Sequence, residues 1–248
     1  MAEIRPFCCV HPATEVVSQV AALPYDVVSR EEAAAIGKEN PDSFLHVDRA
    51  EMDLPAETDL YDAKVYQKAK ENLHKMEETG VLVQDHKPCY YIYELVRKGK
   101  VQTGIAGCAS IDDYLSNVVK KHELTRSDKE LDRINHVDVC DANTGPIYLA
   151  CRYTDALSAL LEQWKKEHKA AYDFTEEDEI THRVWVIDGD EAISQIQDEM
   201  EKIPALYIAD GHHRAVSAVK VGLKRRQENP DYTGEEAFNY FLSVVFPY

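Results

Sequence analysis

Residues 205–222 read ALYIADGHHRAVSAVKVG and give the clearest structural signal in the chain. The apolar run 205–209 predicts a buried strand, and Asp210-Gly211 predicts a turn. Apolar residues then recur at helical spacing, so we expect a helix that begins near His213. A strand that enters a helix through a glycine turn brings backbone N–H groups to the positive end of the helix dipole. We therefore predict that residues 210–214, where the strand turns into the helix, form a corner that binds an anion.

The polar side chains of this corner suit phosphate chemistry. Arg214 falls in the first helical turn and can grip phosphate or carboxylate through two parallel hydrogen bonds. His212 and His213 add two groups that donate hydrogen bonds or carry protons near neutral pH. Asp210 can hold Mg²⁺ or accept a hydroxyl proton. The alternative is an ordinary turn with a solvated arginine. A turn alone, however, gives no reason for two adjacent histidines.

Length and composition set the class of protein. The 248 residues allow one large or two modest domains, and 44% hydrophobic with 29% charged residues is typical of soluble globular proteins. The net charge of -17 argues against binding to nucleic acid or anionic membrane. No apolar run approaches the length of a membrane span, and no signal peptide follows Met1. The 6 cysteines form no CxxC pair, which favours free thiols in the cytoplasm over disulfides or zinc.

Elsewhere, predicted strands and helices do not alternate regularly. Expected strands cover residues 43–47, 89–96, 101–108, 145–151, 181–187 and 242–248. Expected helices cover residues 31–37, 59–79, 155–171 and 190–202, the first with a Ser29 to Glu32 capping box and a stop at Gly37. We therefore expect the α+β or mixed α/β class, with mixed sheets and flanking helices.

A second polar cluster, KKHELTRSDKELDR, occupies residues 120–133. A charge run is usually a solvated loop or helix, but this one lies between two apolar strands. Glu123 can act as a general base or Mg²⁺ ligand, with His122 beside it as a second catalytic candidate. Groups that can contact phosphate oxygens are Lys121, Thr125, Arg126, Lys129 and Arg133. No Walker A motif, kinase glycine-rich loop or GxGxxG occurs, so conventional nucleotide folds are not indicated.

Motifs in both clusters carry a family resemblance. They are, in chain order, Pro24-Tyr25-Asp26-Val27, His122-Glu123 with Thr125 and Asp132-Arg133, Gly145-Pro146-Ile147, and Asp210-Gly211-His212-His213-Arg214. On these motifs the sequence resembles the DUF1015 family of uncharacterised conserved proteins over nearly its whole length. Family members typically have a further C-terminal part. We therefore expect residues 1–248 to form a single DUF1015-like unit without that part, and leave open a subdivision near residues 110–150.

The block at residues 210–214 also resembles the phosphate-binding motif of the ParB/sulfiredoxin superfamily, which includes nucleotide-dependent free serine kinases. That resemblance implies a ParB/sulfiredoxin-like core around residues 205–222 and a small-molecule kinase with free L-serine as acceptor. It implies ATP or ADP as donor and Mg²⁺ as cofactor, with Asp210 near the metal. It also implies that nucleotide phosphates lie on Gly211, His212, His213 and Arg214. Tyr25 and Asp26 are our candidates for contact with the substrate.

Two other functions stay open. One is a ParB-like nucleotide-binding regulatory module that switches a partner with little turnover. The other is metal-dependent hydrolysis through His122, Glu123, His212 and His213, although neither histidine pair has the spacing of a helical zinc motif. The expected partners are a nucleotide and a small-molecule substrate, with no nucleic acid or membrane, and a homodimer is left open.

Overall fold

The computed structural model of the protein describes residues 1–123, 127–176 and 179–248. Strands in these ranges are β1 (Ile4–Arg5), β2 (Val10–Pro12), β3 (Leu82–Gln84), β4 (Tyr90–Arg97), β5 (Lys100–Ser110), β6 (Val119–Lys120), β7 (Ile147–Cys151), β8 (Tyr172–Thr175), β9 (Thr181–Ile187), β10 (Leu206–Asp210) and β11 (Tyr240–Pro247). Helices are α1 (Val17–Val20), α2 (Arg30–Glu39), α3 (Leu45–Asp48), α4 (Ala63–Glu78), α5 (Ile111–Leu115), α6 (Ser127–Cys140), α7 (Asp155–Glu167), α8 (Asp190–Glu201) and α9 (His212–Glu228). Short 3₁₀ helices cover Thr14–Val16, Ala50–Asp53 and Ala237–Asn239.

One large mixed sheet organises the described part of the chain. Its strand order is β6-β10-β7-β11-β5-β4-β9-β8, and β1 pairs with β5 as a ninth strand. The β10–β6 and β11–β7 pairs are parallel, whereas the other pairs are antiparallel. Strands β2 and β3 form a separate antiparallel pair. A mixed sheet with flanking helices confirms the predicted mixed α/β class.

Two main groups of buried apolar side chains hold the helices in place. The larger group joins the sheet to α7, α8 and α9, as shown by Leu157, Ile196 and Val219 in contact with sheet residues. The smaller group surrounds α4 and includes Leu73 together with Val47 of α3. Burial of such side chains is the main favourable term in folding. Helices α3 and α6 both pack on α4, whereas α7 and α8 belong to the larger core.

Several local predictions are confirmed. Ser29 and Glu32 form the reciprocal capping box at the start of α2. Strands β4 and β5 form the predicted hairpin, whose turn places Lys98 at φ 49° and Gly99 at φ 75°. Within the described ranges, no helix is both long and apolar enough to cross a bilayer.

Three local predictions are wrong. Residues 43–47 are not a strand, because the chain there forms α3 and packs on α4, whose Asn72 amide donates to the His46 carbonyl at 2.6 Å. Helix α2 does not stop at Gly37 but runs to Glu39, and Gly37 instead permits close packing, since an added Cβ would lie 2.5 Å from Met52. Helix α4 begins at Ala63 rather than near residue 59, because the Asp62 side chain caps the helix at this later position.

Candidate functional site

The strand, turn and helix at residues 205–222 form as predicted. Strand β10 ends at Asp210, Gly211 adopts φ +89°, and α9 begins at His212. That φ lies in the left-handed region, where a residue with a Cβ is strained. An added Cβ would also lie 3.1 Å from Nε of Arg214. No described side chain caps α9, which leaves its first-turn N–H groups able to bind an anion.

Strand β10 is buried on one face only, which corrects the prediction of a buried strand. Leu206 and Ile208 are buried, whereas Tyr207 is 45% exposed. Alternate residues of a strand point to opposite faces of the sheet, so only every second apolar side chain reaches the core.

Arg214 is held in place by two elements of the corner. Its Nη2 donates to the Asp210 carboxylate at 2.6 Å, and its Nη1 donates to the Pro146 carbonyl at 2.5 Å. The arginine side chain is 19% exposed and the Asp210 side chain 65% exposed. The guanidinium is therefore fixed in orientation by a partner that reaches solvent, and it keeps further N–H groups for a ligand.

The corner faces a cavity of about 600 Å³. Its polar lining residues at this end are Tyr25, Asp48, Arg133, His136, Thr144, Asp210 and Arg214. The remaining wall is largely apolar and aromatic and includes Phe7, Phe44, Tyr91, Tyr93, Tyr148 and His182. Such a volume, with a few converging polar groups on an apolar wall, is typical of a small-molecule site.

Arg133 brings a second cation to the polar end. It lies on α6 and is only 8% exposed, and its Nη2 pairs with the Asp132 carboxylate at 2.8 Å. The Tyr25 ring covers the guanidinium, with 4.2 Å from the arginine Cζ to the ring centroid. The Tyr66 hydroxyl donates to the other Asp132 oxygen at 3.0 Å, so the ion pair is fixed from behind. A cation held between a carboxylate and an aromatic face is well suited to a planar anionic group.

A hydrogen-bonded group of Asp48, Thr144 and His136 lies at the same end of the cavity as the two arginines. Burial, opposed by the Thr144 hydroxyl and by Arg133, raises the pKa of the Asp48 carboxyl. Burial and then Arg133 lower the pKa of His136 to about 3, so this imidazole is neutral. The Thr144 hydroxyl donates to Asp48 at 2.6 Å and lies 3.3 Å from Nε2 of His136. The neutral imidazole Nε2–H can therefore donate to Thr144, which orients the Asp48 carboxyl toward the cavity.

The two histidines of the corner lie on another side of α9. Successive helical residues are rotated by about 100°, so His212 and Arg214 project in nearly opposite directions. The His212 ring contacts the His122 ring edge-on at 4.5 Å, and its Nδ1 lies 3.5 Å from the Glu123 carboxylate. Burial, and then His122, lower the pKa of His212. Nε2 of His212 and Nδ1 of His213 are buried without a hydrogen bond to any described residue.

The predicted site residues thus fall into two groups. Tyr25, Arg133, Asp210 and Arg214 line the cavity, with the exposed Asp26 next to Tyr25. His122 and Glu123 meet His212 instead, and none of these three is among the described residues that line the cavity. Gly211 immediately precedes α9, and His213 is the second residue of that helix. Thr125 and Arg126 lie outside the described residues.

Sequence reasoning missed Asp48, His136 and the aromatic wall. His136 follows Arg133 by three residues on α6, so helical periodicity places both side chains on one face and gives a usable signal. Asp48 ends α3 and carries no comparable local signal. Tyr91 and Tyr93 lie on one face of β4, and the residues that alternate with them lie on the other face. Only the packed structure shows that the face with Tyr91 and Tyr93 lines a cavity.

A metal site made only of protein ligands is not found in the described ranges. There, no group of three or more His, Cys, Asp or Glu side chains is arranged to hold an ion. Asp210 offers a largely exposed carboxylate beside the cavity. Mg²⁺ commonly binds through one or two carboxylates together with substrate phosphates and water, so the residues present fit a substrate-borne magnesium ion.

Comparisons with known proteins identify the family. The family described as "Protein of unknown function (DUF1015)" matches residues 4–248. No curated protein and no solved structure matches the chain. Because the family match covers almost every residue, the chain belongs to the DUF1015 family.

Proposed function

We propose that the protein is a nucleotide-dependent kinase of a small molecule, with ATP or ADP as donor and free L-serine as the preferred acceptor. One observation carries the proposal. Two arginines from different elements, Arg133 of α6 and Arg214 of α9, lie with the start of α9 at one end of a cavity of about 600 Å³. Cations and helix N-termini that converge on one point are the groups that stabilise a transferring phosphoryl group.

The balance of charge supports an anionic ligand. Arg214 is paired with the largely exposed Asp210, and Arg133 with Asp132, so both cations are already oriented. Burial raises the pKa of the Asp48 carboxyl, against the opposing effects of Thr144 and Arg133. An incoming phosphate therefore meets two fixed guanidinium groups in a site partly shielded from water, where charge interactions are stronger than in solvent.

Asp210 is the best-placed carboxylate for the acceptor side of the reaction. Its side chain is 65% exposed at the mouth of the cavity, next to the N–H groups of α9. There it can accept the hydroxyl proton or share a magnesium ion with the phosphates. Mg²⁺, when bound, neutralises phosphate charge. Glu123 is a second candidate base, although its carboxylate lies 3.5 Å from Nδ1 of His212 and not among the described residues that line the cavity.

A second candidate function is a nucleotide-binding regulatory module without turnover. The position of Glu123 favours it, because this carboxylate contacts His212 rather than lining the cavity with Arg133 and Arg214. If Asp210 serves only to orient Arg214, with which it pairs at 2.6 Å, the same arginines would bind a nucleotide and hold it unreacted.

We also propose a cytoplasmic location and a ParB/sulfiredoxin-like core around residues 205–222. All six cysteines are free, which fits a reducing compartment. A homodimer is a further proposal, which a solution mass measurement would test.

Incubation of the purified protein with Mg²⁺, ATP or ADP and a panel of amino acids tests the proposal. We expect a phosphorylated hydroxyl amino acid, with serine the best acceptor. Product should fall in Asp210→Asn and stay unchanged in the exposed control Glu57→Gln. Nucleotide binding without any product supports the regulatory module, and absence of both binding and product refutes the proposal.

A further inference from the structure

A line of polar side chains runs along the cavity wall away from the arginines. Tyr148 of β7 pairs in register with Asp210 of β10, so this line of side chains begins beside the corner. Tyr148 is a hydrogen-bond neighbour of Tyr93. The Tyr93 hydroxyl then lies 2.7 Å from Nδ1 of His182, and Nε2 of His182 lies 3.5 Å from the Glu176 carboxylate. All these side chains line the cavity.

The imidazole of His182 offers its edge to the cavity rather than its face. Phe174 stacks on the ring at 5.2 Å between centroids, and Tyr93 stacks on it at 5.9 Å. Both contacts are nearly parallel, with interplanar angles of 12° and 24°. Phe174 covers one face and the Tyr93 hydroxyl reaches the edge at Nδ1, so the edge that carries Nε2 is left for recognition of a ligand.

The two ring nitrogens of His182 have different surroundings. Burial raises the pKa of the Tyr93 hydroxyl, so that group stays protonated and can donate to Nδ1 of His182. A neutral imidazole that accepts at Nδ1 carries its proton on Nε2. Nε2 is buried and donates to no described residue, because the Glu176 oxygen at 3.5 Å is beyond ordinary hydrogen-bond distance. In the tautomer that accepts at Nδ1, the cavity lining holds a buried N–H donor that no described residue pairs, next to a carboxylate acceptor.

We propose that this end of the cavity binds the nucleobase: a heteroaromatic ring whose edge carries an acceptor next to an N–H donor, which pairs with His182 and Glu176. The inference rests on the proposed function for the identity of the ligand as a nucleotide. The apolar side chains of Ile180 and Val184 line the same cavity and suit the faces of a ring. The phosphates would then lie at Arg133 and Arg214, with the ribose between the two ends.

Titration calorimetry with three probes tests this orientation. The probes are ATP, adenosine, which has a base but no phosphate, and tripolyphosphate, which has phosphates but no base. We expect His182→Gln to weaken adenosine and ATP binding by about 3- to 10-fold, the value of one hydrogen bond, and to leave tripolyphosphate binding unchanged. Arg214→Ala should do the reverse, weakening tripolyphosphate and ATP but not adenosine.

His168→Gln is the matched control, because His168 also stacks on an aromatic ring, that of Trp164 at 3.8 Å, but is exposed. It should leave the binding of all three probes unchanged. Tyr93→Phe guards against misfolding in His182→Gln, because it removes only the hydroxyl on Nδ1 and should also weaken adenosine binding.

Failure of the inference and failure of the kinase proposal give different results. Unchanged adenosine and ATP affinity in His182→Gln, with weaker ATP binding in Arg214→Ala, overturns the base site and leaves the kinase proposal standing. Adenosine binding that depends on His182, with no phosphorylated product from any acceptor, supports the base site and refutes the kinase.

Discussion

Replacement of Gly211 by alanine separates two reasons for a glycine at the start of α9. The first is backbone strain, because φ is +89° and a residue with a Cβ pays about 1–2 kcal/mol in the left-handed region. The second is contact with Arg214, because the new Cβ would lie 3.1 Å from Nε and 3.2 Å from Nη2. The guanidinium must then move away from Asp210 and Pro146, which costs about 1 kcal/mol more.

Gly234→Ala is the matched control for strain alone. Gly234 has φ +97°, and among the described residues no atom lies within 4 Å of an added Cβ. We therefore expect a loss of about 1–2 kcal/mol in Gly234→Ala and about 2–3 kcal/mol in Gly211→Ala.

Urea unfolding at pH 7 measures both losses, provided that the slope of the free energy of unfolding against urea concentration is the same in both variants. The informative quantity is the difference of about 1 kcal/mol between the two variants, which reports the displaced guanidinium. If Gly211→Ala costs no more than Gly234→Ala, Arg214 is not held against the turn, and the geometry of the corner is wrong.

Three further predictions concern the surroundings of the cavity. Burial and Arg133 lower the pKa of His136 to about 3, whereas a histidine in the unfolded chain titrates near 6.5, so only the unfolded chain gains this proton between those values. The contribution of His136 to the free energy of unfolding should therefore fall by about 1.4 kcal/mol per pH unit as pH drops through this window. A urea series at several pH values should show that His136→Gln has lost this dependence, and an equal dependence in both proteins would contradict the prediction. Tyr25→Leu removes the ring that lies 4.2 Å from the Arg133 guanidinium, so the free energy of unfolding in urea should fall by about 1 kcal/mol. Tyr25→Phe keeps an aromatic ring and should lower the free energy of unfolding much less. Equal losses in the two variants would exclude a cation–π contribution. Gly222→Ala places a Cβ 2.4 Å from the Phe238 carbonyl oxygen and should destabilise by about 1–3 kcal/mol despite the better helix propensity of alanine; an unchanged melting temperature would show that the contact relaxes freely.

The parts of the fold that sequence predicts correctly are those with local signals. The turn at Gly211 and the capping box at Ser29 depend on residues within a few positions of one another. The prediction at residues 43–47 fails because a short apolar run suits a strand or a helix equally, and packing on α4 decides between them. Local chemistry therefore fixes the turn at Gly211 and the cap at Ser29, while tertiary contacts decide ambiguous segments.

The candidate site is predictable only in part for a related reason. Its charged residues stand out in sequence, and the structure brings Arg133 and Arg214 to one cavity. Helical periodicity also places His212 and Arg214 on different sides of α9, because successive residues are rotated by about 100°. The cavity itself joins strands β4, β7 and β11 to α6 and the segment before α2, and no sequence pattern reports contacts between such distant segments.

The dissociation constant of ATP or ADP for wild-type protein and Arg214→Ala tests the central claim most directly. Loss of a hydrogen-bonding cation should weaken binding by about 10-fold or more, the effect of 1.5 kcal/mol or above. Arg97→Ala, which removes the same charge from an exposed position at the end of β4, should leave the constant unchanged. A folded Arg214→Ala protein that binds nucleotide as tightly as wild type would contradict the assignment of this corner to phosphate.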